Sequence, residues 1–177
     1  NIYNVIVAAS DGTLTDTQAL AVTVGNVADG STINGTNSAN TLTGTTAEDT
    51  INGLGGNDTI TGGLGADVLT GGSGADRFVY SSINDSSLSA PDRITDFSLS
   101  QNDRISLSAI DANTSLSGDQ AFSWIGTGNF TNVAGQLRYY QSGGNTYVTG
   151  DVNGDGIGDF LIRIDPAVTL SASYFIL

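Results

Sequence analysis

Aspartate is the residue of this sequence whose type and spacing could do chemistry. Asp49, Asp58, Asp67 and Asp76 recur every nine residues, and Asn40 stands nine places before the first of them. Glycines accumulate just ahead of each aspartate, at Gly53, Gly55, Gly56, Gly62, Gly63, Gly65, Gly71, Gly72 and Gly74. Short carboxylates beside a glycine-turned backbone offer a cluster of hard oxygen donors. That is the donor set of a hard divalent cation. It is not a nucleophilic or acid–base site. The chain has no histidine and no cysteine, which removes Ser-His-Asp arrangements, thiolate chemistry, disulfides and the usual zinc sites together.

The elements that must position these carboxylates follow from the same period. Aligned in nines, residues 35–79 read GTNSANTLT, GTTAEDTIN, GLGGNDTIT, GGLGADVLT and GGSGADRFV. Glycine opens every unit, the sixth place holds Asn40 or an aspartate, and the eighth holds Leu42, Ile51, Ile60, Leu69 and Phe78. The fourth place sharpens from Ser38 and Ala47 to Gly56, Gly65 and Gly74. The first six places of a unit predict a tight turn that needs φ > 0 at glycines, and the last three predict a short strand with one apolar side chain inward. Two units complete a coil, so turns on the same side lie eighteen residues apart. Each coil buries two large apolar side chains, a gain smaller than the entropy lost in ordering eighteen residues. Stacked turns also bring aspartates together. Both deficits predict a fold that needs a cation.

Composition narrows the partners. Eighteen acidic residues against five basic ones give a formal charge of −13 over 177 residues. Such a field repels nucleic acid and anionic lipid, so neither is expected as a direct partner. Seventeen of the acids are Asp, Glu48 is the single Glu, and all five cations are Arg; a solubilising coat is ordinarily built from Glu and Lys. No apolar run is long enough to span a bilayer. The chain begins at Asn1 with no charged n-region and apolar h-region, so no N-terminal Sec signal is expected in this piece, which reads as a fragment.

Outside the repeats the pattern is that of strands. Residues 1–30 are expected to hold a hairpin, IYNVIVAA and ALAVTV around a turn at SDGT, followed by a linker. The hairpin resembles the closing hairpin of a cadherin-like or immunoglobulin-like repeat. A degenerate roll strand around Ile33 is expected to open the roll, which is assigned to 31–80. Residues 81–177 show DRITDF, DRISL, AFSWIG, QLRYYQ, NTYVTGDV, DFLIRI and YFIL as strand candidates, with SGGN and NGDG as hairpin turns. The segment SAIDANTSLSGDQAF is expected to be a loop. The fold class is therefore all-β: a parallel β-roll followed by a β-sandwich-like C-terminal cap.

The nonapeptide is the RTX pattern G-G-x-G-x-D-x-U-x. The stretches FVYSSINDSSLSAPDRITDFSLSQNDRISLSAIDA, GQLRYY, VTGDVNGDGIGDFLIRI and the terminal YFIL resemble the C-terminal domain of the serralysin family of secreted metalloproteases. The zinc-binding HExxH helix of that family is absent, so the resemblance implies the domain and not protease activity; no catalytic residue is expected in this chain. It implies several Ca²⁺ ions, each between two same-side turns. A first site joins Thr36, Ser38 and Asn40 to Gly53, Gly55 and Asp58. A second joins Thr45, Ala47 and Asp49 to Gly62, Leu64 and Asp67. A third joins Leu54, Gly56 and Asp58 to Gly71, Ser73 and Asp76. At the exit, Gly63, Gly65 and Asp67, or Gly72, Gly74 and Asp76, are expected to share a cation with Asp85 and Asp92.

Two further features carry competing readings. DVNGDGIGDF copies the front of an EF-hand loop at Asp151, Asn153, Asp155, Gly156 and Asp159, but Ile162 stands where the bidentate Glu belongs; a hairpin turn is the alternative. Phe122, Trp124, Tyr139, Tyr140 and Tyr147 are either a sugar-stacking platform or core and cross-strand pairs. SASYFIL resembles the uncleaved C-terminal signal of type I secretion substrates. The expected function is a module that folds on extracellular Ca²⁺ and directs type I export of a larger secreted bacterial protein. The alternatives are the end of a surface adhesin that meets a glycan, or the non-catalytic tail of a secreted hydrolase.

Overall fold

The computed structural model describes residues 2–10 and 15–23 as paired strands and residues 29–177 in full. Strand β1 (Ile2–Ser10) pairs antiparallel with β2 (Thr15–Thr23), Ile2 opposite Thr23. The turn expected at SDGT lies outside the described residues.

The repeats fold into short strands: β3 (Thr32–Thr36), β4 (Thr41–Thr43), β5 (Thr50–Leu54), β6 (Thr59–Thr61), β7 (Val68–Thr70) and β8 (Arg77–Val79). They alternate between two sheets, and each pairs in parallel with the strand eighteen residues on, Ile33 with Ile51 and Leu42 with Ile60. From the third unit on, positive φ at the second and fourth places turns the chain back between strands. Gly63 and Gly72 have φ of 99° and 91°, and Gly56, Gly65 and Gly74 have φ of 98°, 132° and 136°. A Cβ at Gly74 would also run into the Gly56 carbonyl of the coil below. Leu54 takes the second-place conformation without being glycine, at φ 73°, a region that costs an L-residue on the order of 1–2 kcal/mol.

The cap continues both sheets. Strands β9 (Asp92–Ile94), β10 (Arg104–Ser106), β11 (Ser123–Gly126), β12 (Gln136–Ser142), β13 (Asn145–Asp151), β14 (Ile162–Ile164) and β15 (Phe175–Ile176) follow in chain order. One sheet runs β15-β10-β8-β6-β4 and the other β11-β12-β13-β14-β9-β7-β5-β3. The core lies between them, with Ile51, Ile60, Leu69, Phe78, Ile94, Ile105 and Ile164 all essentially inaccessible. A single turn of 3₁₀ helix, Ala172–Tyr174, is the only helix among the described residues. The expected loop 108–122 is irregular, held by Asp111 Oδ1 accepting from the Asn113 and Gln120 backbone N–H groups. The SGGN turn closes the β12–β13 hairpin with Gly143 and Gly144 at φ 57° and 81°. Within the terminal YFIL, Tyr174 ends the 3₁₀ turn and Phe175–Ile176 forms β15, parallel to β10, with Phe175 buried against Trp124.

Candidate metal ladder

Because the coils repeat at eighteen residues, sixth-place side chains stack in two columns, one on each side of the roll. On one side the Ser31 N–H donates to Asp49 Oδ1 (2.6 Å), Asp49 N–H to Asp67 Oδ1 (2.8 Å), and Asp67 N–H to Asp92 Oδ1 (2.9 Å). On the other, Asn40 N–H donates to Asp58 Oδ1, Asp58 N–H to Asp76 Oδ1 (each 2.8 Å), and Asp76 N–H to Asp103 Oδ1 (3.0 Å). Every rung is one carboxylate oxygen on the backbone of the coil before it. Asp49, Asp58, Asp67, Asp76, Asp92 and Asp103 are all buried.

The second oxygens distinguish the rungs. Oδ2 of Asp58, Asp67, Asp76 and Asp92 is buried with no hydrogen-bond partner among the described residues. By contrast, Asp49 Oδ2 accepts from the Thr45 N–H and hydroxyl, and Asp103 Oδ2 from the Ser98 N–H (2.7 Å). Asn40 turns its Oδ1 to the Thr36 N–H (2.6 Å). Two pairs of stacked turns therefore present two unmet carboxylate oxygens each: Asp58 with Asp76, and Asp67 with Asp92. The pairs Asn40–Asp58 and Asp49–Asp67 present one.

Electrostatics follow from this packing. Burial, with the charges of Asp49 and Asp85 nearby, pushes Asp67 up to about 6. Burial pushes Asp92 up to about 8, helped by Asp67 and Asp85, and Asp103 up to about 6, helped by Asp76 and Asp96. Asp76 is raised by burial and by the charges of Asp58 and Asp96. Asp49 goes the other way: burial raises it, but its hydrogen bonds from Thr45 and Ser31 outweigh that and lower it.

These observations test whether a calcium ion fits. A buried carboxylate oxygen without a donor is costly unless a cation meets it. The turn carbonyls of Thr36, Thr45 and Leu54 each accept one N–H, from Gly55, Leu64 and Ser73, which leaves a lone pair free on each. Among the described residues no three acidic side chains converge on one point, so the oxygens here come from paired aspartates and backbone. Hard oxygen donors in a loose arrangement suit Ca²⁺ better than the small octahedron of Mg²⁺. The residues present fit calcium.

At the exit of the roll the two columns meet different residues. Asp92 accepts from the Asp67 backbone, and the charge of Asp85 bears on both Asp67 and Asp92. Asp92 takes the ladder position, whereas Asp85 Oδ2 accepts from the N–H groups of Ser81 (2.7 Å) and Ser82 (3.0 Å) and caps its own turn. The turn at Gly71–Asp76 meets different residues: Asp96 accepts from the Gly71 and Gly72 N–H groups (2.9 and 2.7 Å), and Gln101 Oε1 from Gly74 N–H (2.8 Å). Asp96, Gln101 and Asp103 were not among the expected residues. A signal for Asp103 does exist: the D-R-apolar triplet recurs at Asp76, Asp92 and Asp103, and each copy places an aspartate at a rung and the next residues on a strand.

The EF-hand-like run is self-sufficient. Asp151 accepts from Gly154 and Gly156 N–H (2.6 and 2.9 Å), and Asp159 from Val152 N–H and Asn153 Nδ2 (2.7 and 2.9 Å). The five aromatics divide. Phe122 and Tyr139 are buried and Trp124 stacks on Tyr139 at 5.7 Å, whereas Tyr140 and Tyr147 stack on each other at 5.1 Å on the opposite face of β12 and β13.

Comparison with known proteins agrees with this geometry. The family model for the peptidase M10 serralysin C terminal matches residues 11–177. The chain belongs to that family. Its roll is thus a calcium-binding module of the RTX type, and membership covers the C-terminal part of these peptidases and not their catalytic part. No curated protein matches the chain. Among solved structures, the chain is similar to the R3 subunit of the AlgE6 mannuronan C5-epimerase of Azotobacter vinelandii, at 27% identity and a TM-score of 0.57, covering 83% of this chain and 77% of that one. It is also similar to the R2 subunit of the same epimerase, at 26% identity and a TM-score of 0.52, covering 82% and 91%. No helix among the described residues is long and apolar enough to cross a membrane.

Proposed function

We propose that the chain is a calcium-ordered folding module at the C-terminal end of a larger secreted bacterial protein exported by a type I system. The observation that carries this reading is the set of buried Oδ2 atoms on Asp58, Asp67, Asp76 and Asp92. Turns stacked this closely with unmet carboxylates are under electrostatic strain until counter-charge arrives. Bound calcium supplies that charge. The residues that would hold it are Asp58 with Asp76 and Asp67 with Asp92, then Asn40 with Asp58 and Asp49 with Asp67, each with carbonyls of the neighbouring turns. Cytosolic calcium is too scarce to fill such sites, so the roll crosses the export channel unfolded. Extracellular calcium then converts binding free energy into folding free energy.

Circular dichroism tests the folding step. Calcium is expected to restore β-structure cooperatively to a metal-free chain, with Mg²⁺ failing at equal concentration. A metal-free chain with a full β spectrum and an unchanged Tm overturns the reading. Export is tested by removing Tyr174–Leu177 from the full chain and measuring secretion alongside calcium-induced folding. Lost secretion with folding retained assigns the signal to these residues; loss of both makes β15 structural; unchanged secretion places the signal elsewhere. We read β1 and β2 as the closing hairpin of a preceding repeat in the parent protein.

A further inference from the structure

The arginines, few as they are, are not scattered. Strand pairing sets Arg93, Arg163, Tyr147 and Tyr140 in one row across β9, β14, β13 and β12, all pointing away from the core. The row crosses three inter-strand gaps, about 14 Å. Arg138 stands two residues along β12 on the same face, its guanidinium 5.7 Å from both the Phe130 and the Tyr140 ring centroids. Three of the five cations of a chain with formal charge −13 thus share one sheet face.

The charges on this face are under-compensated. Asp165 serves both Arg93 (2.6 Å) and Arg163 (2.8 Å), so two cations share one anion. Arg138 has no carboxylate partner among the described residues; its Nη1 donates to Asn129 Oδ1 (3.1 Å), and its Nε is buried without an acceptor there. It lines a shallow cleft of about 330 Å³ with Leu88, Phe130, Tyr140, Ile157 and Leu161, and no carboxylate lines that cleft. Ile157, Leu88 and Tyr140 are substantially exposed.

We propose that this face binds an acidic polysaccharide, with uronate carboxylates on Arg138 and the Arg93–Arg163 pair and sugar rings against Tyr140 and Tyr147. Guanidinium forks match carboxylates geometrically, and the spaced cations suit a polymer with one charge per sugar. The rest of the surface repels a denser polyanion. An extended peptide would bind by adding a strand, but β9, β14, β13 and β12 each have neighbours on both sides, so no free main-chain edge is offered here. Recognition has to come from side chains, and the outward aromatic rings offer apolar faces with polar tips. The proposal does not depend on the calcium sites, which lie at the turns.

The test is calorimetric titration of the calcium-loaded chain with a defined uronate oligosaccharide, a neutral oligosaccharide of equal length and a poly-glutamate peptide. Binding is expected for the uronate alone. Arg138→Gln and Tyr140→Ala are each expected to weaken it about tenfold, the loss of one charge-assisted or one stacking contact. Asp165→Asn removes the competing anion and is expected to tighten binding about threefold, a gain that no merely structural role produces. Calcium-induced circular dichroism checks each variant's fold. If Arg138→Gln does not fold, Arg93→Gln, at a half-exposed site, takes its place. No uronate binding overturns the proposal. So does binding that ignores these substitutions, or equal binding of poly-glutamate.

Discussion

The turns of the roll and the loop at 151–159 are both built from aspartate and glycine, yet they treat their carboxylates in opposite ways. In the loop, both oxygens of Asp151 and both of Asp159 meet donors within the same hairpin. In the roll, Asp58, Asp67, Asp76 and Asp92 spend one oxygen on the preceding coil and bury the other unmet. The difference is one of path. A hairpin folds its own N–H groups back onto the carboxylate that starts it. A coil sends its N–H groups to the carboxylate of the next coil, and each carboxylate is left with one oxygen that its own turn does not meet. Composition is the same in the two places; what differs is whether the buried carboxylate oxygens meet donors.

Chelating calcium should produce the largest effect, confined to one region. Hydrogen exchange is expected to lose protection over 32–79 while the β12–β13 hairpin, 136–151, keeps much of its own. Each site filled at a hundred times its Kd contributes about 2.7 kcal/mol, so several sites outweigh any single contact in the cap. Equal loss in both regions would show one cooperative unit and erase the contrast.

Substitution comes next. Asp58→Ala removes a carboxylate shared by two stacked turns, Asn40 below and Asp76 above, and is expected to weaken calcium affinity at least tenfold, about 1.4 kcal/mol. Asp151→Ala is expected to leave the calcium titration unchanged while lowering stability by about 1–3 kcal/mol, through the stranded N–H groups of Gly154 and Gly156. A calcium isotherm shifted equally by both would make the loop a metal site.

The third effect is protonic and smaller. Burial holds Asp67 at about 6 and Asp92 at about 8 in the metal-free roll, against about 3.9 in an unfolded chain. Raised carboxyl values mean that the metal-free fold holds protons the unfolded chain releases. Its stability therefore falls as pH rises from about 4 towards 8. Calcium must displace those protons, so its apparent affinity should climb between pH 6 and 8. Titrations in buffers of different ionisation enthalpy should show proton release at pH 6.5 that fades above pH 8.5. No release at pH 6.5 would mean that Asp92 is already ionised.

The smallest effect concerns Asp85. Asp85→Asn removes a charge that bears on Asp67 and Asp92 while keeping an oxygen to accept from Ser81 and Ser82. It is expected to change calcium affinity less than Asp92→Asn does. The reverse order would put Asp85, not Asp92, at the metal.

In the roll, local chemistry dictates the structure. A period of nine with glycine first, aspartate sixth and an apolar residue eighth predicts short strands alternating with turns, and turns eighteen residues apart that stack their aspartates, whereas the pairing of particular residues into ligand sets was what the resemblance implied. Where the period stops, spacing loses its authority. Counting nine from Asp76 reaches Asp85, but the chain spends seven more residues before Asp92 takes the place above Asp67, a step of 25. On the other side it spends nine extra before Asp103 takes the place above Asp76, a step of 27. A loop can absorb any such number of residues at little entropic cost, so counting along the chain cannot tell which aspartate resumes the ladder. Parallel pairing of β9 on β7 and β10 on β8 decides it, because the strand register sets which N–H faces which carboxylate. The arginine–tyrosine row has the same origin: its members come from four strands spread over residues 92–164, and only their order in the sheet makes them neighbours.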